Sequence, residues 1–125
     1  MSEARIRASV EGYVAAWNER DVAKRKSFIE RGCAEDLRMR TPGKRINGRA
    51  ELDVLIADFQ RRRPRERAVL LSVIDVQGHV FRFAGRVEGG PVTPGGDAFD
   101  AGACDEDGRI QVLLSFVGAA LPSRA

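Results

Sequence analysis

Asp100 is the side chain of this sequence best suited to acid–base chemistry. The residues around it, Phe99–Ala103, are otherwise apolar or small, so a carboxyl group pointing inward from this segment would be desolvated and its pKa raised. A carboxyl with a raised pKa suits a general acid, or a hydrogen-bond donor to a developing negative charge. Asp97 lies three residues earlier, and the sequence leaves open which of the two aspartates faces the interior.

Two further polar residues, His79 and Arg82, lie in one predicted strand. His79 is the only residue whose ordinary pKa lies near neutrality, although a histidine at the start of a strand is more often a surface residue. Arg82 shares a strand face with Val80 and Ala84, and an arginine among apolar neighbours needs an acidic partner. We expect Asp100 to be that partner.

The aromatic residues nearest the N-terminus have helical spacing. Tyr13 and Trp17 are four residues apart, so in a helix they share one face. A buried tyrosine bonds its hydroxyl within the core or offers it to a ligand, and both interpretations stay open. Trp17 and Met39 are expected to shape a cavity rather than to react.

The cysteines do not have the spacing of a metal site. Cys33 and Cys104 are far apart, and the carboxylates are scattered. We therefore expect no metal and no other cofactor, and two buried thiols in a reducing compartment. A single long-range disulfide stays open.

The hydrophobic periodicity predicts helices first and a run of strands later. Helices are expected over Glu3–Glu19, over Val22–Arg31 with Asp21 as N-cap, and after Asn47-Gly48 as far as Pro64. Strands are expected over these ranges: Leu37–Thr41, Ala68–Val76, His79–Val87, Phe99–Cys104 and Arg109–Val117. Glu88–Gly96, with four glycines and two prolines, is expected to be a loop. This order is typical of an α+β fold with an antiparallel sheet.

Length and charge indicate one domain without a nucleic-acid function. A chain of 125 residues can bury one core, so we expect a single domain over residues 1–125. The net charge is only +3, and the densest basic run, Arg61–Arg67, has no interleaved aromatic residues to bind single strands. No stretch is apolar enough for a membrane span or a signal peptide, so a cytoplasmic location is expected.

Three stretches of sequence are informative together: Tyr13–Asp21, Thr41–Arg49 and Asp105–Ile110. In this order and spacing they resemble the nuclear-transport-factor-2-like superfamily, and especially its bacterial SnoaL-like branch. The resemblance covers nearly the whole chain. It implies a cone-shaped fold of three N-terminal helices on a strongly curved, mostly antiparallel sheet, with a mostly apolar cavity between them.

The resemblance also implies roles for individual residues. In ketosteroid isomerases, which share this fold, a first-helix tyrosine and a protonated aspartate donate hydrogen bonds to a developing oxyanion. Tyr13 matches that tyrosine, and Asp100, eight residues before Gly108, matches the aspartate. Thr41 stands where those enzymes have their proton-abstracting base. Threonine cannot act as a base near neutral pH, so ketosteroid isomerase activity is not expected.

Other enzymes of the superfamily match less of the sequence. Its dehydratases use strand histidines in pairs, and this chain has only His79. Its epoxide hydrolases use an Asp-Arg-Asp group around a water, and Arg82 and Asp100 would supply two members of it.

The sequence therefore predicts a small-molecule-binding protein, and its reaction stays open because one fold hosts many functions. The first hypothesis is a cofactor-independent cyclase or isomerase that acts on a small, mostly apolar carbonyl compound through Tyr13 and Asp100. Its expected substrate-binding residues are Trp17, Met39, Thr41, His79 and Arg82. Alternatives are a non-catalytic binding or dimerisation module and an epoxide-hydrolase-like enzyme. Because the late strands are apolar on both faces, we expect a homodimer joined through the sheet.

Overall fold

The computed structural model describes residues 2–90, 97–118, 121 and 123–124. Its helices are α1 (Glu3–Asn18), α2 (Val22–Gly32) and α3 (Gly48–Arg62), and its strands are β1 (Cys33–Thr41), β2 (Lys44–Asn47), β3 (Arg67–Leu70), β4 (Asp75–Gln77), β5 (Val80–Glu88), β6 (Asp97–Cys104) and β7 (Ile110–Val117). The predicted α+β class is confirmed, with α3 following the first hairpin. Residues 91–96 of the predicted loop lie outside the described residues.

The strands form one curved, open sheet. Its order is β2-β1-β7-β6-β5-β3, and β4 also pairs with β5. All neighbouring strands are antiparallel except β1 and β7, which are parallel. This parallel pair joins the early hairpin to the late strands and places Met39 of β1 beside Leu113 of β7.

Side chains at the helix starts define where the helices begin. The side chain of Ser2 accepts a hydrogen bond from the Arg5 N–H, and Asp21 accepts one from the Lys24 N–H, as is usual for N-cap residues. The Glu51 carboxylate accepts a bond from the Asn47 N–H at the start of α3. Among the described residues, no helix is both long enough and apolar enough to cross a membrane.

The core lies between the three helices and the inner face of the sheet. Ile6, Val10, Leu52 and Ile56 on the helices and Leu37, Ile110 and Leu113 on the strands are almost completely buried. Burying an aliphatic side chain of this size stabilises the fold by about 1.5–3 kcal/mol. This packing supports the backbone of α1, from which Tyr13 and Trp17 project.

The prediction of one continuous strand over Ala68–Val76 is wrong. Both β3 and β4 pair with β5, but the four residues of Leu71–Ile74 lie opposite only two residues of β5. The Ser72 hydroxyl accepts the Ala84 N–H at 2.8 Å in place of a backbone carbonyl. Such a bulge bends a strand, and continuous apolar sequence does not reveal it. β1 also begins earlier than predicted, at Cys33, and β2 was not predicted.

The two cysteines are free and buried. Cys33 and Cys104 both lie opposite Ile110, on different sides of β7. Two strand spacings separate their backbones by about 10 Å, which is too far for a disulfide. Burial raises the pKa of Cys33 to about 12 and that of Cys104 to about 11, so both are thiols at neutral pH.

Candidate active site

A cavity of about 210 Å³ lies between the helices and the inner face of the sheet. Its wall is mainly apolar. The lining residues come from α1 (Tyr13, Val14, Trp17), α3 (Phe59), β1 (Met39, Thr41), β3 (Ala68, Val69, Leu70), β5 (Phe83, Gly85, Arg86, Val87), β6 (Ala98, Asp100) and β7 (Ser115). Few polar groups in an apolar cavity are typical of a small-molecule site.

Strand register places Asp100 on the cavity wall. Phe83, Asp100 and Ser115 lie directly opposite one another on β5, β6 and β7, and residues opposite one another in a sheet share a face. Asp97 is an odd number of residues away and therefore points to the other face. There it accepts hydrogen bonds from Arg86, the shorter at 2.6 Å. Of the two aspartates, Asp100 is therefore the one that faces the cavity.

Asp100 is only 7% exposed, and its carboxylate accepts a hydrogen bond from the Ser115 hydroxyl at 2.6 Å. Burial raises the pKa of Asp100 to about 6, and the bond from Ser115 opposes the rise. At pH 7 a carboxyl with this pKa is mainly ionised. The role of a protonated assisting acid, implied by the resemblance, therefore does not fit neutral pH, whereas that of a proton acceptor does.

The Tyr13 hydroxyl is a donor in an apolar setting. The residue is 4% exposed, and its hydroxyl contacts the Met39 sulfur at 4.0 Å, which is a weak acceptor. Burial, followed by the negative charge of Asp100, raises the pKa of Tyr13 well above its ordinary value. Tyr13 therefore keeps its proton and can donate it in a hydrogen bond to a stronger acceptor.

Aromatic rings form the helical side of the cavity. The Trp17 ring packs edge to face with Tyr13, at a centroid distance of 6.3 Å, and with Phe59, at 5.3 Å. Trp17, Met39 and Thr41 all line the cavity, and their part in substrate binding stays a prediction. Edge-to-face packing adds stability beyond the area buried, so this wall is well defined.

His79 and Arg82 do not line the cavity, which corrects their assignment as substrate-binding residues. His79 is exposed in the turn before β5, near Asp105. Arg82 points to the outer face, because Phe81 and Phe83 on either side of it point inward. The Arg82 guanidinium donates to Asp75 at 2.7 Å, so the expected pairing with Asp100 is wrong. Arg82 therefore cannot supply the arginine of the epoxide-hydrolase-like alternative.

Two features of the cavity were not predicted from the sequence. The Ser115 side chain supplies the hydroxyl that contacts Asp100, and its signal was a polar residue between two apolar neighbours, Leu114 and Phe116. Gly85 and Ala98 leave space in the inner face, and nothing in the local sequence marks them. Within the described ranges, no group of three His, Cys, Asp or Glu side chains could hold a metal ion.

Solved structures similar to this chain were found, whereas no protein-family model and no curated protein sequence matches it. A candidate isomerase of the SnoaL-like family from Agrobacterium tumefaciens is 25% identical, with a TM-score of 0.78 over 93% of this chain and 99% of that one. A SnoaL-like protein of unknown function from Burkholderia thailandensis is 15% identical, with a TM-score of 0.70 over 95% and 99% of the two chains.

A third similar structure is a candidate polyketide cyclase from Sinorhizobium meliloti. It is 19% identical, with a TM-score of 0.67 over 86% of this chain and 92% of that one. These similarities extend over nearly the full length of each protein, and they agree with the three helices and curved sheet described above. The chain therefore has the SnoaL-like form of the nuclear-transport-factor-2-like fold.

Proposed function

We propose that this protein binds a small, mostly apolar carbonyl compound in its cavity and isomerises or cyclises it without a cofactor. The observation that carries the proposal is that Tyr13 of α1 and Asp100 of β6 line one apolar cavity. One offers a neutral donor and the other a buried carboxylate. A carbonyl compound needs both in order to lose a proton from the carbon beside its carbonyl group.

In this mechanism the two residues divide the work of enolisation. The Tyr13 hydroxyl donates a hydrogen bond to the carbonyl oxygen and stabilises the negative charge that develops there. The Asp100 carboxylate accepts the proton from the neighbouring carbon and becomes a carboxylic acid. In an isomerisation, Asp100 returns this proton to another carbon of the enolate. In a cyclisation, the enolate carbon bonds to a second carbonyl carbon, and Asp100 protonates the new alkoxide.

The descriptions of two similar structures support this class of reaction. One is described as a candidate isomerase and another as a candidate polyketide cyclase, and an enolate could serve as the intermediate of either type of reaction. The competing proposal is a binding module that keeps the cavity without turnover. It is favoured by Thr41, which supplies no carboxylate at the position that matches the isomerase base.

Replacing Tyr13 by phenylalanine is expected to weaken the binding of 2-naphthol. The Tyr13 hydroxyl would donate to the oxygen of this bicyclic phenol, and the phenol proton would point to Asp100. Leaving a buried acceptor without its donor costs about 1–3 kcal/mol, or about 5- to 150-fold in Kd. Titration calorimetry would measure the change.

Naphthalene is the matched control for that experiment, because it has the same rings and no hydroxyl group. Its affinity should be the same for wild type and Tyr13→Phe. If the variant also binds 2-naphthol as tightly as wild type does, the cavity contains no working donor, and the binding-module proposal replaces the enzyme.

We further propose a cytoplasmic homodimer joined through the outer face of the sheet. This face carries apolar side chains that are partly or largely exposed in a single chain, namely Val80, Phe99, Val112, Leu114 and Phe116. An apolar surface of this kind commonly marks an interface. A twofold dimer would cover the same patch on both chains.

Sedimentation equilibrium at micromolar concentration should therefore give about twice the chain mass of 13.7 kDa. Phe116→Glu should shift the protein to the monomer, because it would place two charges in the buried patch. Val54→Glu is the control, since Val54 is exposed on α3, away from the proposed patch on the outer face of the sheet. A wild-type monomer would contradict the proposal.

A further inference from the structure

Two small residues create the space in the cavity. Gly85 of β5 and Ala98 of β6 lie directly opposite each other, and both line the cavity. Phe83, which lies two residues before Gly85 in the inner face, is by contrast large. The gap at Gly85 is also bounded from β3, because an added Cβ would lie 3.3 Å from the Val69 carbonyl oxygen.

The side of the cavity across from this gap is made of aromatic rings. Phe59 packs edge to face on Trp17 at 5.3 Å, and Trp17 packs in the same way on Tyr13. Rings held by such contacts yield less readily than flexible aliphatic side chains. The distance between the small residues and the aromatic wall therefore limits the ligand in one direction.

The volume of the cavity agrees with that limit. A closed apolar cavity of about 150 Å³ holds one benzene molecule, and this cavity has about 210 Å³. Two fused rings, or one ring with a short side chain, would fill this volume, and a skeleton of three or four rings would have to extend beyond it. Asp100 occupies the wall beside this space, so the reacting end of the ligand must lie within it.

We infer that the site takes a planar carbonyl compound of one or two rings, and that Ala98 and Phe59 set its upper size. This inference rests on the proposed function, because that proposal supplies the carbonyl group. The size limit is assigned to Ala98 and Phe59, which take no part in the proposed reaction. It can therefore be tested independently of Tyr13 and Asp100.

The inference can be tested by calorimetry with a series of phenols that have one, two and three rings, namely phenol, 2-naphthol and 2-hydroxyanthracene. From one ring to two, the affinity of the wild type should rise about tenfold, as expected for the added apolar area. From two rings to three, it should fall by about tenfold or more, because the third ring must displace packed side chains. The series benzene, naphthalene and anthracene should show the same order of affinities.

Two substitutions should move the size limit in opposite directions. Ala98→Val fills the gap and should make phenol the best ligand. Phe59→Ala removes a ring from the wall and should raise the affinity for 2-hydroxyanthracene above that of the wild type. Leu55→Ala is the control: Leu55 lies one turn earlier on α3, is partly buried and does not line the cavity, so the order should not change.

The possible outcomes separate the two proposals. If the wild-type protein binds 2-hydroxyanthracene as tightly as 2-naphthol, the size inference is overturned, even if Tyr13 and Asp100 act as proposed. A size order unaffected by both cavity substitutions overturns the assignment of Ala98 and Phe59. The phenols and the hydrocarbons could both show the expected size order while Tyr13→Phe binds 2-naphthol as tightly as wild type does. That result supports the size inference and overturns the enzyme proposal. If no probe binds, both are overturned.

Discussion

Asp100→Asn is expected to slow the enolisation of a small ketone by about 10²–10⁴-fold, the usual contribution of a general base. The amide cannot accept the proton, but it has nearly the same shape as the carboxylate and can still accept the hydrogen bond from Ser115. A suitable probe is 2-tetralone, a bicyclic ketone. Incorporation of deuterium beside its carbonyl group in D₂O, followed by NMR, measures proton removal without knowledge of the natural substrate.

The same substitution should not destabilise the protein. Burial raises the pKa of Asp100 to about 6 from an ordinary value of 3.8, so the folded state disfavours the charged form. The free energy of unfolding should therefore fall as the pH rises from about 4 to about 6, by about 3 kcal/mol. Asp100→Asn removes this penalty, so the variant should lose activity and gain stability at pH 7.

The dependence of the exchange rate on pH gives a second measurement. The wild-type rate should increase up to about pH 6 and then level off, because the carboxylate is the active form. Asp97→Asn is the matched control: Asp97 is on the same strand, but its side chain bonds the Arg86 side chain on the outer face of the sheet, so its loss should leave the rate unchanged. If Asp100→Asn exchanges deuterium as fast as wild type, Asp100 is not the base.

Asp53→Ala is expected to lower the free energy of unfolding by about 3 kcal/mol, near the lower end of the cost of breaking a buried ion pair. The partner of Asp53 is Arg25, which is 4% exposed and donates to the Asp53 carboxylate at 2.7 Å. The substitution leaves this guanidinium buried with Gln60, a neutral acceptor at 3.1 Å. Urea unfolding followed by both circular dichroism and Trp17 fluorescence would measure the loss.

Two variants show whether the buried charge is the cause. Arg25→Met with Asp53→Leu removes both charges and should be far less destabilising than Asp53→Ala, because apolar residues often replace a buried ion pair at little cost. Asp58→Ala breaks exposed pairs with Arg61 and Arg62 on the same helix and should have little effect. If the double replacement costs as much as Asp53→Ala, the loss comes from packing.

This ion pair also has a link to the cavity. Gln60, which bonds Arg25, donates through its amide to the backbone carbonyls of Trp17 and Glu19. The network therefore joins α2 and α3 to the end of α1 that carries the aromatic wall. We expect Asp53→Ala to weaken 2-naphthol binding at temperatures where the protein is still folded.

Local sequence determined the helices and the placement of Tyr13. Side chains four residues apart on a helix share a face, so Tyr13 and Trp17 had to lie together. The polar residues Ser2 and Asp21 cap the helices that follow them, as N-cap chemistry requires. The residues Asp105–Gly108 separate the last two predicted strands, which pair as a hairpin. These features depend on residues close together in the chain, and sequence is informative about them.

Contacts between distant residues decided the rest of the site. Arg82 lies among apolar neighbours in the sequence, yet it points outward because its strand turns Phe81 and Phe83 to the core. The bulge after β3 depends on pairing with β5. The bond between Asp100 and Ser115 and the gap between Gly85 and Ala98 both arise from strand register. A strand that is apolar on both faces does not specify which face is buried, so only the packed sheet could show which side chains enter the cavity.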